Sequence, residues 1–503
     1  MIVDGERQLR PIDESFDYVI VGSGAAGATA ARILSDASSS IAVVEEGPAV
    51  DATQFEDRTF ASLRRLYRDM GAQVARGRAY IPVLQGSCLG GSTVVNSAIM
   101  WRLPEDVWTT WDRDHSLGRA LPLEELHRHW DQIEAELSVG PTPRDVWGGN
   151  NSLMERAGQV MRISAGPMRR AVRDCRGSAR CQAGCPFDAK QSMALTYLPY
   201  AERRGTTLFT RARADGVVVE GGRAVAVEGR LGHAPAGRRN PRFRLHARKA
   251  VLVAASAIQT PGLLRRSGVR SPHLGAHLQV HPGASLIGVF DQQVDMWFGA
   301  TQGFESDQHR RDGRFKIESV SLSPELLFAR LPGVGPRWAR NIAQASHMAM
   351  WAVDLRAEAE GAVGGRAGRT LIRYGPGPRD MANLRAGLRL TAEMLFAAGA
   401  REVLPGIHGV PERITRPDDV ALIGSGPDDP RAYVFSISHM FGTARMARHK
   451  EAGVVGPDFA VHGIDNLFVV DSSVFPTNTG VNPQLSIMGL AMHAANGIRD
   501  REA

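Results

Sequence analysis

The 503-residue chain has no run of about 18 or more apolar residues, which excludes a helix that spans a bilayer. Its opening, MIVDGERQLRPIDESF, interleaves charges and offers neither the apolar core nor the cleavage pattern of a secretory signal. Cytoplasmic location is the default expectation, with export in the company of a signal-bearing partner as the alternative. One-sided charge is missing too. The 60 Lys and Arg stand against 53 Asp and Glu, a formal net charge of +7, and the arginines are scattered rather than gathered into a basic stripe interleaved with aromatics. Nucleic acid is thereby argued against, while the balance suits an acidic redox partner, an anionic surface or simple solubility alike. Cysteine is scarce. The four present, Cys88, Cys175, Cys181 and Cys185, do not suggest the disulfide framework of a secreted scaffold. There is neither an internal repeat nor a low-complexity tract, and the length suits two interleaved globular domains.

What the chain does contain begins at Tyr18. The run Tyr18 to Val21 leads into Gly22, Gly24 and Gly27 at G-x-G-x-x-G spacing and into an alanine-rich stretch from Ala25 and Ala26, which predicts strand, tight turn and helix. In such a turn the first glycine permits the reversal and the second lets a pyrophosphate approach the backbone. The third allows close helix packing, and helix N-terminal amides face the phosphates. A second strand, IAVVEE, ends in Glu45 and Glu46 about twenty residues downstream, where an acid can hold a ribose hydroxyl. This context predicts a dinucleotide site without choosing between NAD and FAD.

A second cluster, QGSCLGGSTVVN, sets Gly86, Gly90 and Gly91 around small polar residues that include Ser92 and Asn96. It reads either as a loop whose amides approach an extended cofactor or as an ordinary glycine-rich turn. Further on, KAVLVAASAIQTPGLLRRSGV again predicts strand, turn and helix. Near the end a buried strand, Leu467 to Val470, runs into Asp471 and Ser472, a polar loop, Asn482 and Pro483, and a long apolar helix. That loop-to-helix junction is another place for amides to face a cofactor.

Four separated stretches, VIVGSGAAGATAARIL, GSCLGGSTVVN, SAIQTPGLLRRSGV and the C-terminal pair HMFGTARM and VVDSSVFPTNTGVNPQLSIM, together resemble the glucose-methanol-choline (GMC) family of FAD-dependent oxidoreductases, in that family's order. The resemblance implies FAD rather than NAD. It also implies an α/β fold: a Rossmann-like FAD-binding domain assembled from several chain segments, and an α+β substrate-binding domain containing an antiparallel sheet. Segments 12–100, 205–285 and 431–503 are expected in the first, and 101–204 and 286–430 in the second. The family's flavin-facing histidine and its C-terminal His or Asn correspond to His439 and Asn482. Met440, Ala444 and Arg270 depart from the family's usual proline, cysteine and glycine. Some relatives attach flavin through a histidine in the second glycine loop; residues 92–95 here are Ser, Thr, Val and Val, so non-covalent FAD is expected.

Oxidising an alcohol removes a hydroxyl proton and passes hydride to an electron-poor acceptor. A histidine, with an ordinary pKa of about 6.5, can take that proton. The asparagine amide can donate a hydrogen bond to the same oxygen. On this reading His439 sits in a tight Gly-Thr loop. His408, His462 and His493 lack comparable context and are read as structural.

CRGSARCQAGCPFDAK places Cys175, Cys181 and Cys185 on a short loop. They read either as iron–sulfur ligands or as reduced cysteines that pack locally. The spacing is similar to that of some cluster-bearing sugar dehydrogenases of the family. A dehydrogenase that passes electrons to a protein, small subunit or quinone is therefore the leading expectation, with an oxidase or a non-catalytic FAD-binding subunit as alternatives. Residues 205–231 predict hairpins around DG and GG turns. GHAPAGRRNPRFR predicts a basic loop, and DMANLRAGLRLTAEMLFAAG an amphipathic helix closed by Gly399. Trp297, Phe298, Met348, Met350 and Trp351 suit an apolar alcohol pocket but are read first as core.

Overall fold

The computed structural model describes every residue except 38, 57, 233–239, 367–368 and 502–503. The Gly-rich turn after Val21 follows the strand Ile12–Val21 and opens the helix Ala25–Leu34. This strand lies at the centre of an eight-stranded sheet. Its parallel part runs Ile2–Asp4, Thr207–Thr210, Ile41–Val44, Ile12–Val21 and Arg242–Val253, with Leu467–Val469 beside the end of the last. An antiparallel hairpin, Ala212–Glu220 and Arg223–Leu231, extends it. All-parallel strands need cover on both faces, which is why these read as unbroken apolar runs; residues 41–44 are wholly buried. The C-terminal helix Gln484–Arg501 packs on Ala25–Leu34. The sheet's carboxyl edge therefore gathers Gly22, Glu45, Ala254 and Asp471, the edge where doubly wound sheets bind ligands.

The second layer is an antiparallel seven-stranded sheet. It runs Glu402–Leu404, Gln279–Val289, Met348–Leu355, Phe315–Ser319, Phe304–Ser306 and Gly166–Pro167, with Phe435–Phe441 also paired to Gln279–Val289. Helix Pro378–Ala397 packs on it, and Gly399 follows in the left-handed region at φ 97°.

Several local expectations are corrected. Gly221 and Gly222 make the hairpin turn, but the Asp215–Gly216 pair is a bulge inside a strand, not a turn. Of the expected basic loop, residues 233–239 lie outside the described residues, and Arg242–Arg244 already belong to a strand. Met348, Met350 and Trp351 are core; Phe298 is exposed.

The expected segment boundaries cut across the two cores. Residues 74–82 supply two strands of a separate four-stranded sheet, and Ile81 and Val83 join the substrate-side core. Conversely Trp111, Trp130, Ile133 and Tyr197, in a segment expected on the substrate side, pack against the parallel sheet's core. The reason is that helices Glu105–His115, Leu123–Glu136 and Tyr197–Arg203 cover apolar surface left by the Rossmann-like layer.

Candidate active site

The two glycine clusters meet. A Cβ on Gly91 would lie 2.9 Å from the Gly24 Cα, while one on Gly24 would have nothing within 4 Å. Gly22 holds φ at +103°, and a Cβ there would lie 2.3 Å from the Ala254 carbonyl oxygen; one on Gly27 would lie 1.9 Å from that of Gly22. These contacts leave a narrow backbone cradle with open space over Gly24, as a pyrophosphate requires. Ser23 stitches it together: its Oγ donates to Glu45 Oε2 at 2.6 Å and accepts from the Gly90 amide at 3.0 Å. Ala25 and Ala26 open the helix beneath, and Ser92 Oγ accepts from the Gly86 amide at 2.9 Å.

The other expected cofactor residues have partners within the chain. Glu45 is buried and accepts from the Ser23 amide and hydroxyl and from the Gly47 amide, so it braces the turn with most of its acceptor capacity. Burial raises its pKa, against the pull of Ser23. Glu46 pairs with Arg68 at 2.8 Å. Asp471 accepts from the Ser256 amide, the Thr260 hydroxyl and the Ser473 amide, and the Ser472 hydroxyl donates to the Met440 carbonyl. Asp471 and Ser472 thus tie the final loop to helix Ser256–Arg266 and to strand Phe435–Phe441. Asn96 donates to Gln484 Oε1 at 2.6 Å, which brings the second glycine loop against the start of the C-terminal helix; the Pro483 carbonyl accepts from the Ile487 amide there.

His439 is not in a loop. It lies in the strand Phe435–Phe441, and Gly442, at φ 85°, makes the turn after it. Its cross-strand neighbour at an irregularity in the pairing is His281, whose Nδ1 is 3.2 Å from His439 Nδ1. Asp354 Oδ2 lies 3.8 Å from His439 Nδ1 and 3.9 Å from His281 Nδ1. Next along the sheet comes Lys316, paired in register with Asp354, and then Glu305 and Glu318. Lys316 Nζ reaches Glu305 at 2.7 Å, Glu318 at 2.6 Å and Asn482 Oδ1 at 2.6 Å. Period-two alternation puts Lys316 and Glu318 on one sheet face; in a one-faced antiparallel sheet that face would meet water, yet here both residues are buried.

An ammonium only donates, so the atom of Asn482 that meets Lys316 must be its oxygen. Nδ2 makes no hydrogen bond within the described protein, which leaves an amide donor available. Burial lowers the His439 pKa to about 4, despite Glu318 nearby, so its imidazole is neutral at pH 7. Asp354 is raised well above the usual carboxylate range by burial and then by Glu318. Burial opposes the charge on Lys316, but Glu305 and Glu318 more than offset this and raise its pKa.

His281, His439 and Asp354 have the make-up of a divalent-metal site. Their chemistry opposes one: the Gly480 amide donates to His281 Nε2 at 3.0 Å, so that nitrogen needs its lone pair. A metal on Nδ1 of a neutral imidazole would put a proton there instead. Among the described residues, Cys175, Cys181 and Cys185 are free thiols that do not close on a single metal ion, and nothing in the comparisons with known proteins supports an iron–sulfur cluster. Their loop is held structurally. Lys190 Nζ donates to the carbonyls of Val94, Asn96 and Cys181 at 2.5, 2.8 and 2.7 Å, and Arg170 donates to Cys181 Sγ at 3.2 Å. His462 and His493 bond to backbone carbonyls, as structural histidines do.

Two family models described as GMC oxidoreductase match residues 16–283 and 367–491. An uncharacterized GMC-type oxidoreductase of Mycobacterium tuberculosis is 34% identical over 482 residues, 95% of this chain and 75% of its own. The chain belongs to the GMC oxidoreductase family. As a GMC protein it is a flavoprotein oxidoreductase, and the cradle over Gly24 fits FAD. A long-chain-alcohol oxidase of Arabidopsis thaliana is 25% identical over 514 residues, 96% of this GMC chain and 67% of the relative. A formate oxidase crystal structure shares the fold, with a TM-score of 0.75 at 15% identity over 97% of this chain and 99% of that one.

Sequence reasoning missed His281, Glu305, Lys316, Glu318 and Asp354. The run FKIES, alternating apolar and charged within a strand, was the available signal for two of them.

Proposed function

We propose that this GMC protein uses non-covalent FAD to oxidise an alcohol CH–OH to a carbonyl. The supporting observations are that His439 is a neutral imidazole and that Asn482 meets Lys316 through its oxygen, which leaves its amide N–H available to donate. The final loop links them: Gly480 bonds to His281, which abuts His439, and Asn482 follows two residues later. Bound FAD supplies the hydride acceptor. His439 takes the hydroxyl proton at Nε2, the ring nitrogen turned from His281, and is proposed as the base. Asn482 Nδ2 donates to the substrate oxygen and stabilises the negative charge that grows there. Gly22, Gly24, Gly27, Gly86, Gly90 and Gly91 shape the cofactor cradle, with Ser23 and Glu45 holding it.

The relative that oxidises long-chain alcohols supports the substrate class. The relatives named as oxidases favour dioxygen as the electron acceptor, with an acceptor protein as the alternative. An anaerobic panel of fatty, aryl, sugar and sterol alcohols, with formate as control, should bleach oxidised-flavin absorbance with at least one alcohol. Aerobic turnover should then yield hydrogen peroxide in proportion. Flavin that formate bleaches and no alcohol does would refute the reading.

A further inference from the structure

The hydrogen bonds behind His439 constrain where its proton sits. His281 is fully buried, and its Nε2 accepts from the Gly480 amide at 3.0 Å. A backbone N–H can only donate, so the neutral ring of His281 carries its hydrogen on Nδ1. Burial, His439, Lys316 and Arg356 disfavour a second proton on it and outweigh the Asn478 side chain, whose hydrogen bond to the ring favours one. That Nδ1–H faces His439 Nδ1 at 3.2 Å. If His439 accepts there, its own hydrogen is on Nε2, and it presents a donor, not a base, on the other side of the ring.

To act as a base at Nε2, His439 must carry its hydrogen on Nδ1. Two Nδ1–H groups then face each other across 3.2 Å, which is repulsive unless one acceptor receives both. Asp354 Oδ2 is placed for this, 3.9 Å from His281 Nδ1 and 3.8 Å from His439 Nδ1. An approach of about 1 Å brings both to charge-assisted hydrogen-bond distance. Asp354 is flanked by Lys316 in register and, beyond it, by Glu318 and Glu305. Lys316 and Glu318 also act on His439. Burial and the two glutamates raise the Asp354 pKa and the Lys316 ammonium only partly opposes them, so the carboxylate forms as Asp354 closes on the two Nδ1–H groups.

We infer that His281 and Asp354 are positioning residues that set the tautomer of His439: His281 holds it as an Nε2–H donor at rest, and the Asp354 carboxylate draws the hydrogen to Nδ1 to free Nε2 as a base. The tautomer change releases the Nε2 proton to solvent, which reaches the partly exposed His439 ring, and takes one proton from solvent onto Nδ1, so the ring gains no net proton. The substrate hydroxyl hydrogen then passes to Nε2, the hydrogen on Nδ1 remains there against Asp354, and His281 keeps its own throughout. The catalytic half of this inference rests on the proposed alcohol oxidation; the tautomers of the resting protein do not.

The first test is therefore independent of any substrate. FAD-loaded protein with 15N-labelled histidine is examined by NMR at pH 8, with His281→Gln and His439→Gln variants assigning the two rings. The expected result is hydrogen on Nδ1 of His281 and on Nε2 of His439. Hydrogen on Nε2 of His281 would overturn the inference, whether or not any alcohol is oxidised. The second test uses Asp354→Asn and whichever alcohol of the panel bleaches the flavin. The plateau of kcat should fall about 10²-fold or more, as when a base is held in the wrong tautomer. KM should change little, and the ascending limb of the kcat–pH profile should move to lower pH. An unchanged limb would reduce Asp354 to a structural role. If no alcohol reacts, the proposed function fails while the NMR result still decides the resting arrangement.

Discussion

Replacing Lys316 with Met tests whether the polar strip on the antiparallel sheet is an electrostatic unit. Lys316 has no exposed surface in its side chain; it hydrogen-bonds Glu305 and ion-pairs with Glu318, carboxylates that are themselves 10% and 5% exposed. The substitution preserves the aliphatic stem and removes the ammonium, leaving Glu305 and Glu318 as buried like charges. Removing one partner of a buried ion pair costs about 3–5 kcal/mol, because the remaining charge has lost its compensation. Trp101 and Gln302 still donate to the glutamates at 3.0 and 2.6 Å, which places the expectation near the lower end of that range. Burial already raises the Glu305 pKa, and protonating that residue relieves the penalty, so the stability gap between wild type and Lys316→Met should shrink as the pH falls from 8 to 5. Adding Glu305→Gln should recover part of it at pH 8. Equilibrium urea unfolding, followed by tryptophan fluorescence with FAD saturating, measures all three. A loss below about 1 kcal/mol at pH 8, or one that grows on acidification, would refute the reasoning. The same variant frees the Asn482 amide to rotate, so slower flavin reduction should accompany the lost stability.

His439→Ala should retain FAD yet slow flavin reduction by at least about 10²-fold in anaerobic stopped flow; near-native reduction would remove it as the base. Gly27→Ala should lower the FAD-to-protein absorbance ratio by roughly 10-fold, because its Cβ would lie 1.9 Å from the Gly22 carbonyl oxygen and the turn must open; full FAD content would show the turn to be tolerant. Acid should destabilise the fold through His439. Its pKa is lowered from 6.5 to about 4 by burial, so the unfolded chain binds the extra proton and stability falls as pH drops through that interval, by up to roughly 3 kcal/mol. His439→Gln should flatten that part of the stability–pH curve. Cys175→Ser and Cys185→Ser should leave flavin reduction unchanged and the purified protein free of stoichiometric iron. Iron and acid-labile sulfide at one cluster per chain would reverse the reading of that loop.

The sequence by itself determined the parallel half of the molecule. A strand, a glycine turn and a helix are adjacent in the chain, and the Val21-to-Gly27 geometry is set within one turn by sterics that any sequence neighbour obeys. The family resemblance likewise singled out His439 and Asn482 by number. What neighbouring residues could not fix was how those two are held. Glu45 looked free to bind a ribose, and only the fold shows that Ser23 and Gly47 claim most of its carboxylate. His439 read as a loop residue because Gly442 follows it closely, whereas pairing with residues 279–284 draws it into a sheet. His281, Asp354 and Lys316 are widely separated in sequence, and each would pass as an outward-facing polar residue of its own strand. They become one buried strip only because antiparallel register aligns them and the loop through Gly480 and Asn482 closes over them. Local sterics and periodicity are written in short stretches of chain, whereas desolvation and charge pairing depend on which distant strands end up side by side.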